Sequence, residues 1–148
     1  HIASITLVDS PLVVSDLSWQ AVLRSIPLAL PFAPRSWRDS FASWTAGGAP
    51  VADVPVAEMI EAGMSAYAMA LPTPARIPED DLLASTVPMM MVVAGDSRLH
   101  DPVAAAESAA RLLDQVHVYD GASHAVNGEQ PDRLAADVGS FVDAHEPG

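Results

Sequence analysis

Short apolar runs, separated by stretches of helical periodicity, set the frame of this chain. Ile2-Ala3-Ser4-Ile5-Thr6-Leu7-Val8 is rich in β-branched residues and stops at Asp9-Ser10-Pro11, a turn-prone group that cannot continue a ladder. It predicts a short buried strand. Met89 to Ala94, after Pro88, is apolar at consecutive positions instead of alternate ones. That is the pattern of a strand covered on both faces in a parallel sheet, with a neighbour on each side. Val116-His117-Val118-Tyr119 predicts a further strand, with Asp120-Gly121-Ala122-Ser123-His124 as a polar turn beyond it.

Between the first two strands, Leu12 to about Ala84 reads as short helices cut by Pro27, Pro31, Pro34, Pro50, Pro55, Pro72, Pro74 and Pro78. Its clearest piece runs from about Val56 to Leu71, with Ile60, Met64, Tyr67 and Leu71 on one stripe. Gly47-Gly48-Ala49-Pro50 predicts a loop between two such helices. Asp101-Pro102 opens another helix, with Asp as N-cap and Pro at its first position. The last helix begins near Pro131 and places Leu134, Val138, Phe141 and Val142 on one face, before a tail that includes His145. The order strand, helical insertion, strand, helix, strand, turn, helix is that of an α/β fold with a parallel sheet. Three strands do not complete such a sheet. Met89 to Ala94 left at an edge would be an aggregation site, so a complementary piece is expected to supply the missing strands.

Composition narrows the partners. The chain has 148 residues, half of them hydrophobic, and a formal charge of −12, with every basic side chain an Arg. An acidic surface repels nucleic acid and anionic membranes, so the expectation is no nucleic acid, no membrane and a small-molecule substrate or another polypeptide. The charge is uneven: −10 over residues 79 to 148 and −2 over residues 1 to 78, which points to buried or partner-facing surface in the first half. No apolar run reaches the roughly 18 residues of a membrane span. The absence of cysteine excludes disulfides, thiolate zinc sites and a Cys nucleophile. The chain starts at His1 and has no leader-like start, which reads as an internal or processed segment; cytoplasmic localisation is expected.

His124 is the leading site candidate. It follows a strand, where open α/β sheets bind ligands, and an imidazole there can pass a proton between a nucleophile and a leaving group. At this point the chain resembles the α/β-hydrolases in their carboxyl-terminal half. Val87 to Asp96 is similar to that family's penultimate strand and following loop, Asp120 to Ala125 to the loop presenting the catalytic histidine, and Glu129 to Phe141 to the closing helix. Ile5 to Pro11 is similar to the strand after the nucleophile-bearing one, and residues 12 to 84 fall where the family inserts a helical cap. The resemblance implies a core strand over 1–11, a cap over 12–84 and the remaining core over 85–148. It implies no cofactor.

In that family the nucleophile lies in a G-x-S-x-G turn between strand and helix, which would precede residue 1. Gly121-Ala122-Ser123-His124-Ala125 departs from this motif at its last position, and no helix is expected directly after it. The resemblance therefore implies that this chain supplies the base, and perhaps the acid, to an amino-terminal half bringing the serine. Two residues compete as the acid. Asp96 lies 28 residues before His124 and one residue from the family's usual acid position, which here is Ser97; Asp9 ends the first strand, from which some members take their acid. Asp101 ranks third because its capping role already explains it. Met64 and Tyr67, with Met59 and Met69, are candidates to line an adaptable acyl pocket or simply the core of the cap, and Trp19, Trp37 and Trp44 share that ambiguity. His100 and His117 lie near strand ends without acidic partners at a metal-ligand spacing.

The reading that results is a serine hydrolase segment acting on a small apolar ester or lactone, inert alone. A hydrolase-like scaffold or complementing subunit is the alternative. A third possibility starts from Gly95-Asp96-Ser97, similar to the Gly-Asp-Ser block of the GDSL hydrolases, with Ser97 as nucleophile and Asp114-Gln115-Val116-His117 as the D-x-x-H block. The two blocks lie too close together, and Asn127 is the chain's sole Asn.

Overall fold

The computed structural model describes residues 2–29, 34–49, 59, 62–63 and 75–146. Strands β1 (Ile5–Val8), β2 (Met89–Ala94) and β3 (Gln115–Tyr119) form a parallel sheet in the order β1-β2-β3. Ile5 pairs with Met89 and Val8 with Val92 on one side of β2; Met90 pairs with Gln115 and Ala94 with Tyr119 on the other. The expected flanking of Met89–Ala94 is thus met. It is not an edge strand; among the described residues, β1 and β3 form the edges.

The uninterrupted apolar run of β2 is explained by its two faces. Met89, Met91 and Val93 pack with Ala105, Ala109 and Leu112 of helix α4 (Pro102–Leu112). Met90, Val92 and Ala94 pack on the opposite side with Tyr119, Val126 and Phe141, the last from helix α6 (Pro131–His145). Each alternate residue therefore finds an apolar layer, the arrangement a doubly covered parallel strand needs. Leu134 and Val138 join Phe141 on the buried face of α6, as the periodicity predicts.

Asp101 caps α4, accepting from the Val103 and Ala104 N–H groups at 3.0 and 3.1 Å, with Pro102 at the first turn where no N–H is needed. Asp114 joins the starts of β2 and β3, accepting from Met89 N–H at 2.8 Å while its own N–H donates to Met89 O at 3.0 Å. His145 belongs to the last turn of α6 instead of a loose tail: its Nδ1 lies 2.8 Å from Phe141 O and its ring packs on Phe141.

In the insertion, α1 (Trp19–Ser25) leads into a 3-10 turn (Ile26–Ala29), and α2 (Arg35–Thr45) starts directly after Pro34. Gly47 and Gly48 take φ of +70° and +104° in the loop that ends α2. Residues 59, 62 and 63 are helical; the rest of the helix expected over 56–71, with Met64, Tyr67 and Met69, lies outside the described residues. Helix α3 (Glu79–Leu83) starts with Glu79, Asp80 and Asp81 in its first turn, where acids suit the helix dipole. Val13, Val14 and Leu82 pack into the α4 side of the core, so both ends of the insertion are anchored to the sheet layer. Among the described residues no helix is long and apolar enough to cross a membrane.

Candidate functional site

The site forms where the three strands end. Asp9 follows β1 directly. Its N–H still joins the ladder, donating to Val92 O at 2.7 Å, while its φ of 43° turns the chain sharply out of the strand. That left-handed conformation is one Asp tolerates better than most side chains. The carboxylate is fully buried and accepts four hydrogen bonds. Oδ1 receives Ala94 N–H at 3.0 Å and faces His100 Nε2 at 2.9 Å; Oδ2 receives Ser97 Oγ–H at 2.7 Å and faces His124 Nδ1 at 2.8 Å.

Burial alone would push the Asp9 carboxyl up. The hydrogen bonds from His100, His124, Ser97 and Ala94 outweigh it and hold the group well below the usual carboxylate range. Asp9 is therefore an anion at any physiological pH, and His124 donates to it from Nδ1. That fixes the His124 tautomer: Nε2 is the bare nitrogen in the neutral ring. No described residue bonds Nε2, and the side chain is 36% exposed against 0% for Asp9. A base with one nitrogen held and the other open to the surface can accept a proton from a reactant.

The loop that carries His124 is clamped from behind. Ser123 donates both its N–H and its hydroxyl to the Glu129 carboxylate, each at 2.7 Å. Glu129 ends α5 (Val126–Glu129), a single turn that follows His124 almost directly, where no helix is expected from the sequence. Ser123 is 3% exposed and its hydroxyl is spent on Glu129, which leaves it unsuited to attack a substrate. The ends of β2 and β3 also approach closely at Gly95, whose N–H donates to Tyr119 O at 2.9 Å. A Cβ at that position would sit 3.0 Å from Tyr119 O and 3.2 Å from Asp120 Cα, so only glycine fits without a shift.

Of the two acids expected from the sequence, Asp9 lies on His124 and Asp96 does not. Asp96 is exposed; its backbone N–H donates to Ala122 O, and its side chain has no hydrogen bond to His124. The reason is local. Ser97, one residue on, turns inward instead and donates to the carboxylate that Asp9 supplies from the end of the neighbouring strand. Asp101 remains a helix cap. The GDSL pairing is not assembled: the Ser97 hydroxyl is buried against Asp9, while His117 lies by Gln115 and Asp137 on β3 and α6. Met64 and Tyr67 lie outside the described residues.

Two contributors were not apparent from the sequence. His100 is buried against Asp9, a partner too far off in sequence to mark it, and the sequence marks Glu129 only as the start of a helix. The register of Ser97 was the one local signal of an inward-facing loop. Among the described residues no group of three or more potential ligands could hold a metal ion; the nitrogens of His100 and His124 that face Asp9 are occupied as donors.

The loop after β2 also ties in the insertion. Arg98 donates to Trp44 O and Gly47 O, both at 3.1 Å, at the carboxyl end of α2. Ser18, the α1 N-cap, donates its hydroxyl to Arg98 O at 2.7 Å and its N–H to Leu99 O at 2.6 Å. An apolar groove of about 300 Å³ runs between α1, the 3-10 turn and α2, lined by Leu23, Pro27, Leu28, Trp37 and Phe41, with Arg24 and Ser40 beside them.

No family model and no curated protein matches this sequence. Solved structures do match in shape. Naproxen esterase (carboxylesterase NP) from Bacillus subtilis superposes with a TM-score of 0.72 at 15% identity, over 94% of this chain and 50% of its own. Carboxylesterase CesB (YbfK) from Bacillus subtilis gives 0.71 at 17% identity, over 93% of this chain and 51% of its own. The esterase RhEst1 from Rhodococcus sp. ECU1013 gives 0.68 at 20% identity, over 97% and 57% respectively. The chain thus spans about half the length of the structures it matches. With a parallel sheet covered by helices on both faces and this extent of superposition, the chain has the α/β-hydrolase fold over about half the length of those proteins.

Proposed function

We propose that this chain is the base-and-acid half of a serine hydrolase acting on a small, mostly apolar ester or lactone. One observation carries the reading: His124 Nδ1 lies 2.8 Å from the buried Asp9 carboxylate, with Nε2 left open at the carboxyl ends of the strands. The serine would come from an amino-terminal half preceding residue 1. The side of β1 that no described strand pairs is the edge on which that half would add its strands.

In the assembled site, His124 Nε2 takes the proton from the serine hydroxyl as its oxygen attacks the acyl carbon. The imidazolium is stabilised by Asp9 and returns the proton to the departing alkoxide. Water then repeats the cycle on the acyl-enzyme and releases the acid. Asp9 stays ionised throughout, as its four donors require. The high Ala, Leu, Met and Trp content of residues 12–84 supports an apolar acyl or ring group. No nucleic-acid or membrane partner is proposed, consistent with the net charge of −12.

The test is to assay the full-length protein carrying this chain on a short-chain aryl ester, beside His124→Ala. Loss of turnover in the variant is expected. Unchanged turnover would leave a binding scaffold or complementing subunit as the better reading.

A further inference from the structure

We infer that His100 is a positioning residue for the Asp9–His124 pair, holding one carboxylate oxygen so that the other is aimed along the Nδ1–H of His124. The inference rests on the proposed hydrolase reading, and its test separates the two.

A carboxylate rotates about its Cβ–Cγ bond unless both oxygens are held. Oδ2 of Asp9 meets Ser97 and His124, both on loops, and Ser97 donates through a hydroxyl that rotates freely. Oδ1 meets Ala94 N–H, fixed by the end of β2, and His100 Nε2. The His100 side chain is 0% exposed, so its ring plane is set by packing. In either protonation state Nε2 carries a hydrogen toward Asp9. A fully buried imidazole is poor core material, because burial costs its polar nitrogens their water and an apolar side chain would fill the same space without that cost. The bond to Asp9 is what the polarity of this ring achieves.

The electrostatics have a definite sign. Among the described residues, the titratable groups facing His100 are Asp9 from β1 and Asp101 beside it on its own loop; His124, from the loop after β3, meets it across the carboxylate. Burial lowers the proton affinity of His100, but the hydrogen bond and charge of Asp9, with smaller contributions from a backbone hydrogen bond to Asp101 and its charge, raise it above the ordinary histidine value. Asp9 therefore divides one negative charge between two imidazoles. Removing the His100 donor leaves more of that charge to His124, which makes His124 a stronger base but a less well-aimed one.

The experiment compares wild type, His100→Phe and His100→Gln in the full-length protein. Gln retains an uncharged N–H donor at the reach of Nε2. For His100→Phe, kcat on a short-chain aryl ester should fall about 10- to 100-fold with KM nearly constant, as expected of a misaimed group. The acid limb of its pH profile should move to higher pH. His100→Gln should recover most of kcat. Should the Phe variant not fold, His100→Asn, polar but one methylene too short, makes the same comparison. In parallel, NMR titration of the His124 ring reads the coupling without any turnover: its proton affinity should rise in the Phe or Asn variant. Equal losses in the Gln and Phe variants, or an unmoved His124 titration, would overturn the role of His100. Activity that survives His124→Ala would instead overturn the hydrolase reading, and the ring titration would still decide on His100.

Discussion

Asp9 and His124 are 115 positions apart in sequence and meet at 2.8 Å, at the carboxyl ends of β1 and β3 with β2 between them. The two strands do not pair with each other. The pair is closed by side chains reaching over the end of Met89–Ala94, whose last N–H supplies one of the four bonds to the acid. Replacing Asp9 by Asn keeps its shape but lets the amide donate where it must accept, which favours the wrong His124 tautomer. By analogy with the corresponding change in serine proteases, hydrolysis by the full-length protein should fall by about 10⁴ in kcat. A loss below tenfold in steady-state kinetics would remove Asp9 from the acid role.

The same carboxylate makes stability depend on pH from both sides. Asp9 titrates below its ordinary value of 3.8, so its contribution is present above that pH and is lost as pH falls through the depressed value. His100 titrates above its ordinary value of 6.5, so its pairing contributes fully below 6.5 and is lost as pH rises through the elevated value. The melting temperature should therefore decline on both sides of that window. In His100→Gln the decline beginning above pH 6.5 should shrink, which thermal melts across a pH series will show.

Tyr119 anchors β3 to α6 through a 2.6 Å hydrogen bond to Asp137, with the Arg133 guanidinium 3.8 Å from its ring centroid. Burial, then the bond to and charge of Asp137, push the phenol up to about 12 against a smaller opposing effect of Arg133. A raised phenol favours the folded state below pH 10 and withdraws that support as pH climbs toward 12. Tyr119→Phe should cost about 1–2 kcal/mol at neutral pH. It should also blunt the alkaline loss of stability, as measured by denaturant melts at neutral and high pH.

Gly95→Ala places a methyl 3.0 Å from Tyr119 O, where backbone and not a flexible side chain must yield. The ends of β2 and β3 should separate, with a destabilisation of about 1–3 kcal/mol. Because Asp9 is bonded at Ala94 and His124 follows Tyr119, kcat should fall more than stability alone explains. Chemical denaturation and kinetics on the same variant check both.

What was readable in the sequence was whatever local chemistry dictates. The continuous apolar run of Met89–Ala94 announced a doubly covered strand, and Asp101-Pro102 announced a capped helix, because each signal lies within a few residues. His124 was readable from its place beyond a strand. The choice between Asp9 and Asp96 was not, since it depends on which side chain at the strand ends turns inward, a matter of one dihedral at Asp9 and the rotation of the loop at Ser97. His100 was hidden for the same reason: its partner lies 91 positions away, and no periodicity links them. The acyl-pocket assignment of Met64 and Tyr67 falls outside the described residues.

The loop from Ser97 to His100 looks two ways. Ser97 and His100 face the acid, while the Arg98 guanidinium and the carbonyls of Arg98 and Leu99 reach Trp44, Gly47 and Ser18 of the insertion. An engineer who replaces residues 12–84 with a foreign insertion therefore also handles the tether of Asp9. Such a chimera needs carbonyls where Trp44 and Gly47 now offer them and a hydroxyl at Ser18, or the transplant will register at Asp9 before any new substrate arrives.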